Sequence, residues 1–376
     1  MEKKPMEKIA ATPSLLGFGC MRFPKLPNGK IDRPASQKML DYAYAHGVNY
    51  FDTAYMYHDG ESEEFLGDYL TQKYPRESFY LASKLPVWYC KTPDDMERIF
   101  NEQLSRCKTD YFDFYLLHSV DQEKWTQIEE FAAYDFIRRK KEEGKVKYIG
   151  FSYHDDPKYL TNMVETHQWD FVQLQVNYLD WEMQRARDSY QILCDHHIPC
   201  WVMEPVRGGY LATLPDVAED VFKKYEPDAS AASWAVKWVA SLENVKVVLS
   251  GMSSMEQVMD NIAQFDPFVP MTESQYRVID EVVEAIHSVK TVPCTGCRYC
   301  MPCPAGVDIP EVFKIYNTLQ QRKRSSPTKL IYTKFLDPAK RADNCVRCGK
   351  CLEHCPQHIQ IPDRLEEADT AINALP

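Results

Sequence analysis

A (β/α)₈ barrel of the α/β class, followed by a small and mainly helical domain, is the architecture this sequence predicts. Three observations predict it. Short apolar runs alternate with longer amphipathic ones from about Leu15 to Met252, and regular alternation of strand and helix implies parallel pairing. The strand-like runs number eight, in roughly 240 residues, which suits a (β/α)₈ barrel in both count and size. Of the 13 cysteines, eight crowd between Cys294 and Cys355, so the last quarter of the chain does different chemistry from the rest.

Length and composition bound the reading. The 376 residues are 44% hydrophobic and 26% charged, with 44 Lys and Arg against 55 Asp and Glu, a formal charge of −11. Such a chain suits one large soluble domain with an appendage. An acidic surface is a poor general binder of nucleic acid or anionic membrane, and the basic run Gln320–Arg324 is too short to change that. No apolar run approaches the roughly 18 residues of a membrane helix. The N-terminus carries no convincing signal-peptide core. The expected location is therefore cytoplasmic, a reducing compartment that argues against disulfides.

The elements follow in order. Strands are expected at Leu15–Gly19, Asn49–Phe51, Phe79–Ser83, Phe112–Leu117, Val146–Phe151, Phe171–Leu174, Cys200–Met203 and Lys246–Leu249. Helices are expected at Ser36–His46, Glu61–Lys73, Pro93–Arg106, Trp125–Glu143 and Ala186–His196, with Asp228–Leu242 and Thr272–His287 completing or capping the barrel. An open doubly wound sheet is the structural rival, but no Gly-x-Gly-x-x-Gly follows the first strand. The expected domains are 1–289 for the barrel and 290–376 for the cysteine-rich part, with Val289–Pro293 as linker.

Active sites of such barrels lie at the C-terminal ends of the strands. There the sequence places Asp52 and Tyr57, Lys84, His118, Ser152, Gln175, the run Glu204–Gly209, and Ser250-Gly251. One ionisable side chain at a strand end is ordinarily a local hydrogen bond. Asp, Tyr, Lys and His on three successive strand ends are hard to explain as packing.

The cysteines fall in two runs: Cys294-x₂-Cys297-x₂-Cys300-x₂-Cys303-Pro304 and Cys345-x₂-Cys348-x₂-Cys351-x₃-Cys355-Pro356. The second resembles the bacterial ferredoxin pattern. Zinc is the rival occupant, since paired Cys-x₂-Cys units also build tetrahedral sites. Two triple runs that both close on Cys-Pro favour iron–sulfur clusters. In two-cluster ferredoxins the last cysteine of each run ligates the other run's cluster. That resemblance implies Cys294, Cys297, Cys300 and Cys355 on one [4Fe–4S], and Cys345, Cys348, Cys351 and Cys303 on the second. An internal repeat accompanies it: Cys303-Pro-Ala-Gly-Val-Asp-Ile-Pro310 matches Cys355-Pro-Gln-His-Ile-Gln-Ile-Pro362 in register. Between the runs, Glu311–Arg322 has helical character.

Longer motifs in the barrel carry a family resemblance. Leu16-Gly17-Phe18-Gly19-Cys20-Met21-Arg22, Phe51-Asp52-Thr53-Ala54-x-x-Tyr57, Gly60-x-Ser62-Glu63, Ser83-Lys84 and Tyr115-Leu116-Leu117-His118 are similar to aldo-keto reductases. Ile149-Gly150-Phe151-Ser152 and Gln175-Val176-Asn177-Tyr178 continue the likeness over about residues 14–265. The whole chain resembles the subgroup with a C-terminal 4Fe–4S ferredoxin-type domain.

The resemblance implies a catalytic tetrad of Asp52, Tyr57, Lys84 and His118. Tyr57 would give a proton to a carbonyl oxygen as hydride reaches its carbon. A cationic Lys84 would lower the Tyr57 pKa from about 10. Asp52 would hold Lys84, and His118 would stabilise charge on the oxygen. Ser152 and Gln175 would take a nicotinamide carboxamide, and Met203 would lie against the ring. Arg207, Gly208, Gly251, Gln257 and Asn261 would line the phosphate side. Tyr153 stands where the family usually has Asn, Met203 where Tyr often stacks, and Gln257 where an Arg often grips a 2′-phosphate. The implied cofactors are two [4Fe–4S] clusters and NADH or NADPH, with NADH slightly favoured. The implied partners are a small carbonyl or alcohol substrate and a soluble one-electron carrier such as ferredoxin or flavodoxin. Two other functions remain open: an electron-transfer module that uses the barrel as scaffold, and a flavin-assisted redox enzyme, although no flavin motif is present.

Overall fold

The structure, a computed structural model, describes residues 1–6, 9–321 and 326–375. Arg322, Lys323 and Arg324 of the basic run, and the end of the helix expected to reach Arg322, lie outside the described residues.

Eight parallel strands close into a barrel in chain order. They are β1 (Leu16–Gly19), β2 (Tyr50–Asp52), β3 (Tyr80–Leu85), β4 (Phe112–Val120), β5 (Val146–Tyr153), β6 (Phe171–Gln175), β7 (Cys200–Met203) and β8 (Val245–Ser250). Several run one to three residues past the expected ends, because backbone pairing continues beyond the apolar stretch: Asp52 pairs with Ala82, Lys84 with Leu116, and Gln175 with Met203. The polar residues expected just after the strands are therefore mostly their last members.

The period of two along a strand positions the site. Tyr50, Ala82, Phe114, Leu116, Phe171, Trp201, Val247 and Leu249 form one apolar cluster, joined by Ile9 and Ala11 from the N-terminal segment. Stepping on by two from Tyr50, Ala82 and Leu116 reaches Asp52, Lys84 and His118. The same step from Trp201 reaches Met203. A polar layer thus caps an apolar one on the inward face. On β4 the pairing with β5 shifts between Leu117 and Val120, and Ser119 takes a left-handed φ of 53°. Such an irregularity re-aims side chains at the rim of a barrel, and His118 sits within it.

Some helices differ from expectation. The stretch expected as one helix over Trp125–Glu143 is two, Gln122–Glu130 and Ala133–Glu142, parted at Ala132 with φ 51°. The first starts where the Asp121 side chain accepts from the Lys124 N–H. Glu61–Lys73 is likewise two, Glu61–Asp68 and Leu70–Lys73. Pro157–Thr166, Asp216–Tyr225 and Ile361–Asn373 are further helices.

The chain gathers into two compact units. One is Met1–Pro205 with Ser233–Met271, and the other is Val206–Ala232 with Thr272–Pro376. The sequence divides at 289 and 290, whereas packing groups the loop after β7 and the helix Glu273–His287 with the cysteine-rich part. In that second unit the helices Asp216–Tyr225 and Glu273–His287 pack together, tied by Tyr225 Oη to Glu281 at 3.2 Å and Gln275 Nε2 to Glu226 at 2.8 Å.

The internal repeat forms the core of the second unit. Val307 and Ile309 from one copy, and Ile359 and Ile361 from the other, are buried in one cluster with Val312, Phe313 and Leu365. Each copy leads into a helix, Ile309–Gln321 and Ile361–Asn373, with its proline in the first turn, where no N–H is needed. Asn317 clamps Val292 through both backbone groups, at 2.7 Å each. Gly306 and His358, equivalent positions in the two copies, both turn left-handed, with φ 81° and 50°.

Candidate functional site

Three strand ends of the first unit bring the tetrad together. Lys84, 1% exposed, donates from Nζ to Asp52 Oδ1 at 2.5 Å and to the Thr53 carbonyl at 2.8 Å. The same Nζ lies 4.8 Å from the centre of the Tyr57 ring. The His118 ring stands edge-on to Tyr57 with centres 5.9 Å apart. Asp52 Oδ2 and His118 Nδ1 are buried without a hydrogen-bond partner among the described residues.

The electrostatics depart from expectation at Tyr57. Its phenol is pushed well above the ordinary value, first by desolvation and then by the charges of Asp52 and Glu204, with Arg22 pulling the other way. Asp52, which lies against the Lys84 ammonium, is the leading charge acting on the phenol and pushes it up. Burial likewise raises the Asp52 carboxyl, although Lys84 draws it down. Burial holds His118 well below the usual imidazole value, helped by Lys84 and His154. At neutral pH the site therefore presents a protonated phenol and a neutral imidazole.

A second layer fixes Lys84. Glu63, fully buried, accepts from Ser83 Oγ at 2.6 Å, Gln103 Nε2 at 2.7 Å and Arg106 at 3.3 Å. Gln103 also donates to the Lys84 carbonyl at 3.0 Å and accepts from Tyr115 Oη at 2.6 Å. Thr53 and Ser62 share a hydrogen bond of 2.8 Å. Every member of this buried network has a partner, the condition under which polar groups hold a unique geometry.

The other expected cofactor residues have varied placements. Ser152, buried on β5, accepts from the Ser119 N–H at 2.7 Å and keeps its own hydroxyl proton to donate. Gln175 ends β6 and donates to Asp180 at 2.9 Å and Gln184 at 3.2 Å. Met203 ends β7, half-buried. Asn261 is buried and donates to Ser250 Oγ at 2.8 Å, bracing the turn that holds Gly251. Gln257 folds back to accept from the Ser253 N–H at 2.7 Å, an engagement within its own helix start. Tyr153 closes a turn through Oη to the Asp156 carbonyl at 2.6 Å. Arg207 and Gly208 belong to the second unit. A Cβ on Gly208 would stand 2.1 Å from the Thr295 carbonyl oxygen, so that face of the loop is filled by protein.

Residues beyond the expected set also shape the site. Arg22, just after β1, runs its side chain beside Gly251, where an added Cβ would lie 2.6 Å from Arg22 Cγ. Its guanidinium faces Glu204 at 3.9 Å. Trp88 lies 5.2 Å from the His118 ring, with Lys124 Nζ 5.6 Å from the Trp88 ring. His154 is held down to about 4 by burial and then by Lys124. The strand-end rule points to Arg22, Trp88 and His154, which follow β1, β3 and β5 closely; nothing in the sequence pattern singles out Lys124.

In the second unit, Cys294, Cys297, Cys300 and Cys355 line one small pocket, walled by Ile309 and Phe313. Burial lifts the thiols of Cys294 to about 11 and Cys300 to about 12, and in both cases the neighbouring charges include Cys355. Cys351 is raised by burial and then by Cys345, Cys303 and Cys348. So Cys355 sits with the first run and Cys303 with the second. Cys348 is exposed. His354 and His358 also stand exposed.

A parallel barrel with a polar crown, joined to two sets of four thiols, defines a redox protein. The chain belongs to the aldo/keto reductase family, whose sequence pattern matches residues 15–284, and a 4Fe-4S dicluster domain follows at 293–359. It is an oxidoreductase of that family. It is 25% identical over 318 residues to the uncharacterized oxidoreductase YqkF of Bacillus subtilis (strain 168), covering 77% of this chain and 96% of that one. It is 24% identical over 332 residues to the NADH-specific methylglyoxal reductase of Escherichia coli (strain K12), covering 76% and 99%. In structure it resembles the holo form of an aldo-keto reductase from Bacillus halodurans, with TM-score 0.62, 23% identity, and coverage of 76% of this chain and 97% of that one. No helix of the described residues is long and apolar enough to cross a membrane.

Proposed function

We propose that the chain reduces a small carbonyl compound to its alcohol with NADH or NADPH, and that two [4Fe–4S] clusters tie it to a one-electron carrier such as a ferredoxin or flavodoxin. The observation that carries the first part is the buried Lys84–Asp52 pair at 2.5 Å beside Tyr57 and His118.

The donor set fits a nicotinamide. The Ser152 hydroxyl and the Gln175 amide stand at neighbouring strand ends, groups able to pair with a carboxamide. A bound nicotinamide would supply the hydride. Tyr57 holds the proton that the carbonyl oxygen takes as its carbon gains the hydride, so the C=O double bond becomes C–H and O–H. Its raised pKa keeps it in the acid form, which suits reduction more than oxidation. His118, neutral, donates a hydrogen bond to the same oxygen. Lys84 sets a positive charge near the developing negative one, and Asp52 keeps that ammonium aimed. Solvent returns the proton to Tyr57.

NADH is the expected cofactor. The helix Met255–Phe265 contains no Lys or Arg to grip a 2′-phosphate, and Gln257 is engaged with Ser253. The similar Escherichia coli protein is named NADH-specific. Arg22 beside Gly251 is the cation best placed to meet the cofactor's phosphates.

The eight thiols fit two clusters. Cys294, Cys297, Cys300 and Cys355 would hold one, and Cys345, Cys348, Cys351 and Cys303 the other. Each cluster would carry one electron, so the pair matches the two that a hydride carries. The exposed side at Cys348 is the natural approach for a carrier.

The test is carbonyl-dependent oxidation of NADH and of NADPH by anaerobically purified protein with small aldehydes, ketones and 2-oxoaldehydes. Turnover with NADH at least as efficient as with NADPH is expected. A much lower KM for NADPH overturns the cofactor choice. No turnover with any carbonyl overturns the reductase reading. Resolved flavin bands in the visible spectrum would favour the flavin-assisted alternative instead.

A further inference from the structure

The barrel interior beneath the tetrad is not wholly apolar. Inward side chains from alternate strands share a level in such a barrel. Asp52 on β2 stands level with Leu116 on β4 and Leu249 on β8. One level below, β1, β3 and β5 contribute only Gly17, Ala82 and Gly150, so the large side chain there is Trp201 of β7. Tyr50, two residues before Asp52 on the same inward face, comes up from the level below that. The Tyr50 and Trp201 ring centres are 6.3 Å apart, and both rings pack on Phe114, at 5.1 and 5.5 Å.

Three polar atoms in this region have no hydrogen-bond partner among the described residues: Asp52 Oδ2, Tyr50 Oη and Trp201 Nε1. Asp52 is 3% exposed, and Tyr50 and Trp201 are fully buried. Buried polar groups are nearly always paired, and one left unpaired costs stability. Their chemistry is complementary. The Trp201 N–H can only donate, and an ionised carboxylate can only accept. Burial and then the Asp52 charge hold the Tyr50 phenol well above its ordinary value, so it keeps its proton, and the Trp201 N–H is directed towards it. Lys84 occupies Asp52 Oδ1 at 2.5 Å, which leaves Oδ2 as the oxygen that can take a second donor. Two donors from one side and an acceptor on the other are the partners of a water molecule, which needs two to four of them when buried.

We infer that one ordered water lies in the barrel beneath the tetrad, accepting from Tyr50 Oη and Trp201 Nε1 and donating to Asp52 Oδ2. Tyr50 and Trp201 are then positioning residues, which act on the reaction only by orienting the Asp52 carboxylate that holds Lys84. That catalytic consequence rests on the reductase reading above; the water itself does not.

The experiment uses the full-length protein, purified anaerobically, as wild type, Tyr50→Phe, Trp201→Phe and the double variant. A crystal structure of the wild type, at a resolution that places internal waters, should show one within hydrogen-bond distance of Asp52 Oδ2 and of Tyr50 Oη or Trp201 Nε1. No such water, or a direct hydrogen bond from Tyr50 Oη to Asp52, overturns the inference. The thermal midpoint of Tyr50→Phe should fall, because a bound water loses a partner. Were Oη unpaired, its removal would relieve a cost, so an equal or higher midpoint overturns the inference as well. In carbonyl reduction, Tyr50→Phe should lower kcat by about 3- to 10-fold, the worth of one hydrogen bond, with KM for NADH unchanged. The double variant should lose less than the product of the two single losses, because both residues act through one water. An unchanged kcat in Tyr50→Phe, or losses that simply multiply, overturns the positioning role. If Trp201→Phe does not fold, Tyr50→Phe decides alone. A wild type that turns over no carbonyl sinks the reductase reading, while the crystal structure and the midpoint still judge the water.

Discussion

Tyr57 carries its proton in surroundings that resist ionisation, because desolvation and two nearby carboxylates act together on its hydroxyl. The phenol therefore stays protonated until a substrate oxygen beside it gains negative charge. Replacing it by Phe keeps the ring but removes the transferable proton. Tyr57→Phe should lower carbonyl turnover by about 10²- to 10⁴-fold, the usual contribution of general acid catalysis, with NADH binding nearly unchanged by fluorescence titration. A variant that keeps more than a third of the turnover contradicts the role. The same electrostatics fix a pH profile. Burial depresses His118 below the ordinary imidazole value of about 6.5 and raises Tyr57 above about 10. His118 would gain a proton only well below the first value, and Tyr57 would lose one only above the second. The reduction rate at saturating substrate should thus be flat between about pH 6 and about pH 9. An inflection inside that window, seen in initial rates across buffers of constant ionic strength, contradicts the assigned protonation states.

At the scale of elements, the tetrad depends on strands meeting their helices at close range. The helix Glu61–Asp68 supplies Glu63 to the network behind Lys84, and it approaches the end of the helix Asp94–Cys107 through Gly67. A Cβ on Gly67 would fall 1.9 Å from the Arg106 carbonyl oxygen, which is backbone and cannot swing away. Gly67→Ala should therefore destabilise the protein by about 1–3 kcal/mol, the usual cost of overpacking. Calorimetry would show a lower midpoint, and an unchanged one contradicts the close approach. Much of this architecture is legible in the sequence, since a period of two along β2, β3 and β4 carries each apolar inward residue on to Asp52, Lys84 and His118. The paired cysteine runs are equally legible, because ligand spacing is written directly in the chain. What escaped was non-local. The Arg207–Gly209 loop has the glycines of a phosphate cradle, yet only the packed structure shows Thr295 against Gly208. The left-handed break at Ala132 escaped as well, because alanine is a helix former and gives no local signal for a stop. Gln257, at the third position of its helix, serves the helix start, a common role for glutamine there.

At the scale of the whole molecule, the chain carries an aldo/keto reductase barrel and a 4Fe-4S dicluster domain. The thiols alternate between the runs, with Cys355 beside the first and Cys303 beside the second. Cys303→Ser should therefore damage the cluster held by Cys345, Cys348 and Cys351, and leave the one held by its own run. Low-temperature magnetic resonance of the reduced protein separates the two, and loss of the neighbouring run's signal instead would refute the crosswise arrangement. Because the barrel's tetrad lies wholly in the first unit, NADH-driven carbonyl reduction by this variant should survive.

The central claim is that electrons pass between the clusters and the carbonyl site, and the most direct measurement is an anaerobic titration of the holoprotein that records cluster absorbance throughout. Bleaching on addition of NADH, or of a one-electron donor with NAD⁺ present to be reduced to NADH, followed by recovery as a carbonyl substrate is consumed, is the predicted result, and Tyr57→Phe should slow the recovery. Cluster absorbance that stays constant while NADH-dependent turnover proceeds, and that bleaches with a one-electron donor without ever recovering on carbonyl addition, would contradict it.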